Sequence, residues 1–220
     1  MLKISTGEYL SFTPESEYIT KRLREMMSDE NDPLFEEYQD IITTPFEGQK
    51  LFSYLEIMYG SLEGKTLWSI ATGPGIFDIY ARLAGMEVKA YDSYPVAIER
   101  YHEIHEKIFN ELGLSDQIKP CQVLTLEHRM DTFPGHHILD AFSSIDFDAL
   151  HANYWFMFPY DDEAKPVMKF YSNEASLDTK FIVNTARGTR PAVRNAIWHQ
   201  ENINPPEKPF PFQILSKKRM

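Results

Sequence analysis

The sequence predicts an α/β protein: a three-layer, doubly wound, mostly parallel sheet with an N-terminal helical appendage. Three observations predict it. From residue 45 onward, short apolar runs alternate with amphipathic helical stretches, and parallel neighbours need such crossovers. The run 66–71, TLWSIA, passes through Thr72, Gly73, Pro74 and Gly75 straight into a helical pattern. KFIVNT, residues 180–185, is apolar enough for a strand buried on both faces.

Residues 1–45 contain an acidic helical candidate, Glu15 to Met27, a turn-rich SDENDP stretch and a second short candidate, Pro33 to Ile41. They read as an appendage or lid on a domain spanning 46–220. Pro45 opens a further helix through Tyr59, with Leu51, Tyr54, Leu55 and Met58 at the offsets of one stripe. Gly60 and Gly64 break it before the first strand. The helix after the glycine turn sets Ile76, Ile79, Tyr80 and Leu83 on one face and stops at Gly85. A second strand, Glu87 to Tyr91, ends on Asp92. Ser93 then caps, and Pro95 starts, a helix that runs to Leu112 with Ile98, Tyr101, Ile108 and Leu112 on its stripe. Ile118 to Leu126 reads as a third strand and His137 to Ile145 as a fourth. Asp162 to Asn173 reads as a helix, and the closing PFQILSKKR as an antiparallel edge strand.

Composition narrows the function classes. With 220 residues, 43% of them hydrophobic, the chain can bury one good core. A net charge of −11 works against broad attraction to nucleic acid, which needs a basic face. Charge is uneven, with 12 acids against 5 bases in residues 1–60 and 7 bases against 2 acids in 181–220. Solvated loops account for that better than a binding face does. The single cysteine, Cys121, excludes an internal disulfide and argues against a thiolate metal site. No signal-peptide pattern and no run of about 18 apolar residues occurs, so a cytoplasmic protein that does not span a membrane is expected.

The richest stretch is 66–101, a strand, a glycine turn, a helix, a strand and an acid. Asp92 lies 19 residues beyond Gly73, close to the spacing at which an acid meets a ribose hydroxyl. From Thr66 to Thr185 the pattern resembles the cofactor core of class I S-adenosylmethionine-dependent methyltransferases. W-S-I-A-T-G-P-G matches that family's glycine-rich turn at Gly73 and Gly75. Ser69 stands where the family often has an acid near the methionine ammonium, and Ala71 where its first glycine usually sits.

The resemblance implies S-adenosyl-L-methionine as cofactor, held along Ala71, Thr72, Gly73, Pro74 and Gly75. It implies that Asp92, followed by Ser93, accepts the ribose hydroxyls, a task suited to the paired acceptor oxygens of a carboxylate. Gln122 would accept from the adenine amino group and Val123 would offer a backbone N–H to the ring. LDAFSSI would be the substrate-facing strand, with Phe142, Ser143 and Ser144 lining the site and Asp146, His151, Asn153 and Tyr154 following. Methyl transfer is an in-line displacement in which positioning can suffice, and Asp146 or His151 would serve as base where the acceptor carries a proton.

Rival readings are weaker. A dinucleotide turn, G-x-G-x-x-G, needs glycine or alanine at position 78, where the chain has Asp78. A bare tight turn without a cofactor also fits T-G-P-G. N-P-P near residue 204 lacks the closing aromatic of an amino-methylating tetrapeptide, because Glu207 follows. His102 and His105 lack a nearby acid that would complete a metal site, so no metal is expected. Arg187, Arg190 and Arg194 fit a solvated loop better than an anion site.

The expected function is methyl transfer from S-adenosylmethionine to an acceptor that the sequence does not identify. The acidic charge and the aromatic segment NYWFMFPY, residues 153–160, read as a cap, favour a small molecule over nucleic acid. The alternatives are a non-catalytic S-adenosylmethionine-binding protein acting through a partner, and transfer from a related donor, as in aminopropyl transfer. Oligomeric state is not encoded in any pattern found.

Overall fold

A computed structural model describes residues 14–32, 45–70, 72–92, 95–116, 122–125, 154–158, 179–184, 198–200 and 212–217. The elements in chain order are α1 (Pro14–Met27), α2 (Pro45–Tyr59), β1 (Thr66–Ile70), α3 (Ile76–Leu83), β2 (Glu87–Asp92), α4 (Pro95–Glu111), β3 (Gln122–Thr125), β4 (Tyr154–Phe158), β5 (Lys180–Asn184), β6 (Trp198–Gln200) and β7 (Phe212–Lys217).

Seven strands form one sheet in the order β3-β2-β1-β4-β5-β7-β6. The first five positions are parallel, while β7 runs antiparallel to both β5 and β6. The strand order reverses between β1 and β4, and in open parallel sheets the crevice at such a reversal, beyond the carboxyl ends of the strands, is where ligands bind. Those ends are Ile70 on β1, Asp92 on β2, Thr125 on β3 and Phe158 on β4.

One expected strand position moves. The place between β1 and β5 belongs to Tyr154–Phe158, with Thr66 opposite Tyr154 and Phe158 opposite Val183. The run 137–145, assigned to that place from its apolar content, lies outside the described residues. Five consecutive large residues, YWFMF, suit a strand flanked on both edges by parallel neighbours. The aromatic run is therefore sheet, not cap, between 154 and 158. PFQILSKKR does pair antiparallel, but it lies one place in from the edge, which the short β6 occupies.

The helices pack on α3 and on each other. The crossovers β1–α3–β2 and β2–α4–β3 step in the same direction across the sheet, so right-handed connections put both helices on one face. Ile76, Ile79 and Tyr80 of α3, Tyr101, Ile104 and Ile108 of α4, and Leu51 and Leu55 of α2 share one core with Leu67 and Val88 of the sheet. Gly48 lets α2 approach closely, because a Cβ there would sit 3.0 Å from the Tyr80 ring. What covers the opposite face lies outside the described residues, as do the helical candidates 33–41 and 162–173.

The first helix belongs to the same core. Ile19 and Leu23 are fully buried within it, and the Thr20 hydroxyl meets the Tyr80 hydroxyl at 3.1 Å. At the exposed end, Arg22 grips Glu111 of α4 through Nε and Nη2, both at 3.2 Å, and the Tyr18 hydroxyl donates to the same carboxylate at 2.7 Å. Asp32, just beyond α1, pairs with Arg100 of α4. Among the described residues no helix is long and apolar enough to cross a membrane.

This packing predicts that Leu23→Ala lowers the stability of the whole domain by about 2–5 kcal/mol, the cost of an unfilled cavity in a close-packed core. Urea unfolding followed by tryptophan fluorescence, which reports Trp68 on β1, should shift as a single transition. A loosely appended helix would leave that transition in place.

Candidate active site at the carboxyl edge of the sheet

The turn between β1 and α3 is built by glycine conformation. Gly73 (φ 56°) and Gly75 (φ 71°) both occupy the left-handed region, which costs any residue with a Cβ about 1–2 kcal/mol. The Gly75 amide donates to the Thr72 carbonyl at 3.0 Å, closing the turn, and Gly75 is the N-cap of α3. The two glycines then differ. A Cβ on Gly75 would strike the Tyr101 ring and lie 2.7 Å from His105 Nε2, whereas a Cβ on Gly73 would meet nothing within 4 Å. One glycine is demanded by the protein beneath it. The other faces open space.

Asp92 ties the turn to the second strand. Its Oδ2 accepts the Gly73 N–H at 2.7 Å, a short charge-assisted bond, and the side chain is largely buried. Because an ionised carboxylate offers about four acceptor positions, this bond does not exhaust it. The turn and the acid that were paired by spacing in the sequence are therefore in direct contact.

Beneath the turn lies a stack that sequence reading missed. The His105 ring lies 3.9 Å from the Tyr101 ring, nearly parallel to it. Its Nε2 is 2.9 Å from the Gly75 carbonyl and its Nδ1 is 2.8 Å from Arg82 Nη1. A guanidinium only donates and a carbonyl only accepts, so the proton sits on Nε2 and the ring is neutral. Burial, then the Arg82 charge, hold the His105 pKa well below its ordinary value. The stripe drawn through Tyr101 and Ile108 passed over position 105 because histidine was counted as polar. Its spacing, four residues beyond Tyr101, is the signal that would have found it.

Asp78 is the second unexpected centre. It is fully buried on the first turn of α3, where the apolar pattern of Ile76, Ile79 and Tyr80 gave no reason for a charge. Thr72 Oγ1 donates to its Oδ2 at 2.7 Å, and Ser69 Oγ donates in turn to Thr72 Oγ1 at 3.2 Å. Burial pushes the Asp78 pKa up to about 6, with the hydroxyls of Thr72, Ser69 and Tyr101 and the Arg82 charge opposing the rise. Asp78 was read only as an obstacle to a dinucleotide turn; in the structure it fastens the turn from below.

Of the expected site residues, the structure brings together Thr72, Gly73, Pro74, Gly75 and Asp92. It does not bring Gln122 and Val123 to them. The register sets Gln122 opposite Lys89 and Val123 opposite Ala90, whereas Thr125 is level with Asp92. At about 3.3 Å per residue, Gln122 lies roughly 10 Å back along the strand from the carboxyl edge. The adenine contact expected of that pair is thereby displaced to Thr125 or beyond. The cause is a strand that begins at residue 122, not 118. Ala71, Ser93, Phe142, Ser143, Asp146 and His151 lie outside the described residues, and Tyr154 opens β4 instead of following the substrate-facing strand on a loop or helix. Among the described residues no group of histidine, cysteine, aspartate or glutamate side chains forms a metal cluster.

No family model matches the sequence, and no curated protein matches it. Solved structures do match the fold. A methyltransferase from Geobacter sulfurreducens is similar over 97% of this chain and 92% of its own, with a TM-score of 0.55 and 12% identity. The putative methyltransferase YhhF from Escherichia coli is similar over 81% and 88%, with a TM-score of 0.50 and 9% identity. MtNAS, solved with MTA and tNA, is similar over 93% and 71%, with a TM-score of 0.51 and 14% identity. The fold is that of the class I methyltransferases.

Two outcomes follow from this geometry. Gly75→Ala combines a strained φ with a clash into the Tyr101–His105 stack and should cost about 2–4 kcal/mol in chemical denaturation. Gly64→Ala, at φ 74° but with open space around its Cβ, should cost only about 1–2 kcal/mol. Equal losses would mean that the stack does not constrain the turn.

The second outcome concerns acid. With a folded pKa raised from 3.8 to about 6, Asp78 carries a burial penalty above pH 6 that is relieved as pH falls toward 4. His105, with its folded pKa depressed, acts oppositely, and its contribution is lost as pH falls below about 6.5. Asp78→Asn removes only the first effect. The variant should therefore lose stability more steeply than the parent between pH 6 and 4, by up to about 1.4 kcal/mol per pH unit. Parallel pH profiles in urea melts would contradict the buried, perturbed carboxylate.

Proposed function

We propose that the protein binds S-adenosyl-L-methionine at the carboxyl edge of β1 and β2 and transfers its methyl group to a small acceptor. The observation that carries this reading is the Gly73–Asp92 hydrogen bond at 2.7 Å beneath open space at Gly73. It presents a positive-φ glycine, over which a ligand can approach the backbone without meeting a Cβ, beside a carboxylate suited to a vicinal diol. The placement at the strand-order reversal, and the class I methyltransferase fold, support the same ligand. MtNAS, which shares the fold, has been solved with S-adenosylmethionine bound.

The residues present fit that cofactor. Asp92 would hold the ribose hydroxyls, and the turn from Thr72 to Gly75 would hold the segment between ribose and amino acid. When bound, the cofactor supplies an electrophilic sulfonium carbon. The protein's part is orientation: the Gly73–Asp92 bond fixes the turn from one side and the Tyr101–His105 stack fixes it from below. Asp146 and His151 are retained as proposed bases for an acceptor that must lose a proton.

A second reading keeps the donor but changes the group transferred, and the likeness to MtNAS, solved with MTA, supports it. The nucleoside product separates the two. Methyl transfer leaves S-adenosylhomocysteine, and transfer of the larger arm leaves methylthioadenosine. A product screen by mass spectrometry over small amines, thiols and phenols should yield the former. Binding without either product would favour a protein that acts through a partner.

Asp92→Ala should weaken S-adenosylmethionine binding by about 1–3 kcal/mol, from loss of charge-assisted acceptors, with the fold intact by circular dichroism. Gly73→Val should abolish binding, because the space its side chain would enter is the space the ligand needs. Unchanged calorimetric affinity in both variants would remove the ligand from this edge.

A further inference from the structure

We propose that Asp78, acting through the hydroxyls of Thr72 and Ser69, is the acid that holds the ammonium group of the donor's amino-acid arm. This rests on the S-adenosylmethionine reading above. The direction of the hydrogen-bond chain carries it. A carboxylate only accepts, so Thr72 Oγ1 commits its one proton to Asp78 Oδ2 at 2.7 Å. Thr72 must then accept from Ser69, and Ser69 commits its own proton to Thr72 at 3.2 Å. Ser69 Oγ is left with lone pairs alone. It sits one residue before the carboxyl end of β1, on the strand that leads into the glycine turn, with a negative charge two hydroxyls behind it. Such a terminus attracts a donor, and a cationic donor above all.

The Asp78 carboxylate also needs a cation. It is fully buried, its Oδ1 has no well-formed hydrogen bond, and no salt bridge to it forms among the described residues. An uncompensated buried charge is costly, and a charged ligand arriving at the end of the relay would offset that cost. The acid absent at position 69 is thus supplied from the first turn of α3, nine residues later in the chain, and conveyed to the strand end by two hydroxyls. A purely structural staple would explain the Thr72 contact alone. It would not explain why Ser69 is oriented as an acceptor or why a full charge is buried without a cation.

Calorimetric titration of the full chain with two nucleosides tests this. S-Adenosylhomocysteine carries the amino-acid arm, and 5′-methylthioadenosine lacks it. Asp78→Asn and Ser69→Ala should each weaken S-adenosylhomocysteine roughly 10-fold or more, the scale of a lost charge-assisted hydrogen bond, while changing methylthioadenosine less than about 2-fold. Ser69→Ala leaves the Thr72–Asp78 bond in place and keeps the test open if Asp78→Asn does not fold. Equal weakening of both nucleosides would reduce Asp78 to a staple of the turn, and unchanged affinity for both would exclude it from the site. A parent protein that binds neither nucleoside would overturn the donor reading itself, and this inference with it.

Discussion

The site depends on one hydrogen bond, from the Gly73 amide to Asp92 Oδ2 at 2.7 Å. It joins the loop after β1 to the end of β2 and turns two neighbouring strand ends into a single concave edge. A charge-assisted bond of this kind is worth about 1.5–3 kcal/mol, enough to hold a glycine turn that has little rigidity of its own. It forms only if the β1–β2 register brings Ile70 level with Tyr91, which places Asp92 one residue beyond and beside the turn. Parallel pairing thus sets the position of the acid, and the acid sets the turn.

The rest of the described structure supports that edge from below. Gly75 rests on Tyr101 and His105, Arg82 fixes the His105 tautomer while lying 4.4 Å over the Phe109 ring, and Asp78 holds Thr72. Each contact links α3 or α4 back to the loop between Ile70 and Ile76. α1 and α2 then brace α3 through Tyr80, which packs near Gly48 and meets Thr20. Rigidity passes from the helical layer into a loop of a few residues, as positioning chemistry requires.

Much of this was legible in the sequence because it is local. The turn from Thr72 to Gly75, the strand ending at Asp92 and the helices from Pro45 and Pro95 are each set by glycine, proline and apolar spacing within about 20 residues. What was not legible depends on partners distant in the chain. His105 reads as a polar residue on a helix until Gly75, 30 residues away, is laid over it. Asp78 reads as a misfit until Thr72 and Ser69 fold back toward it. The fourth sheet position went to Tyr154–Phe158 because an apolar run does not state its neighbours, and 137–145 was as apolar a candidate. Gln122 and Val123 were displaced by an error of a few residues in where β3 begins, which in a strand is a shift of roughly 10 Å.

The most direct test is a crystal structure of the protein grown with S-adenosylhomocysteine. The account predicts the ribose hydroxyls within hydrogen-bonding distance of the Asp92 carboxylate and the nucleoside passing over Gly73, with the Gly73–Asp92 bond retained. A nucleoside bound elsewhere, or a Gly73–Asp92 bond broken to admit it, would contradict the account.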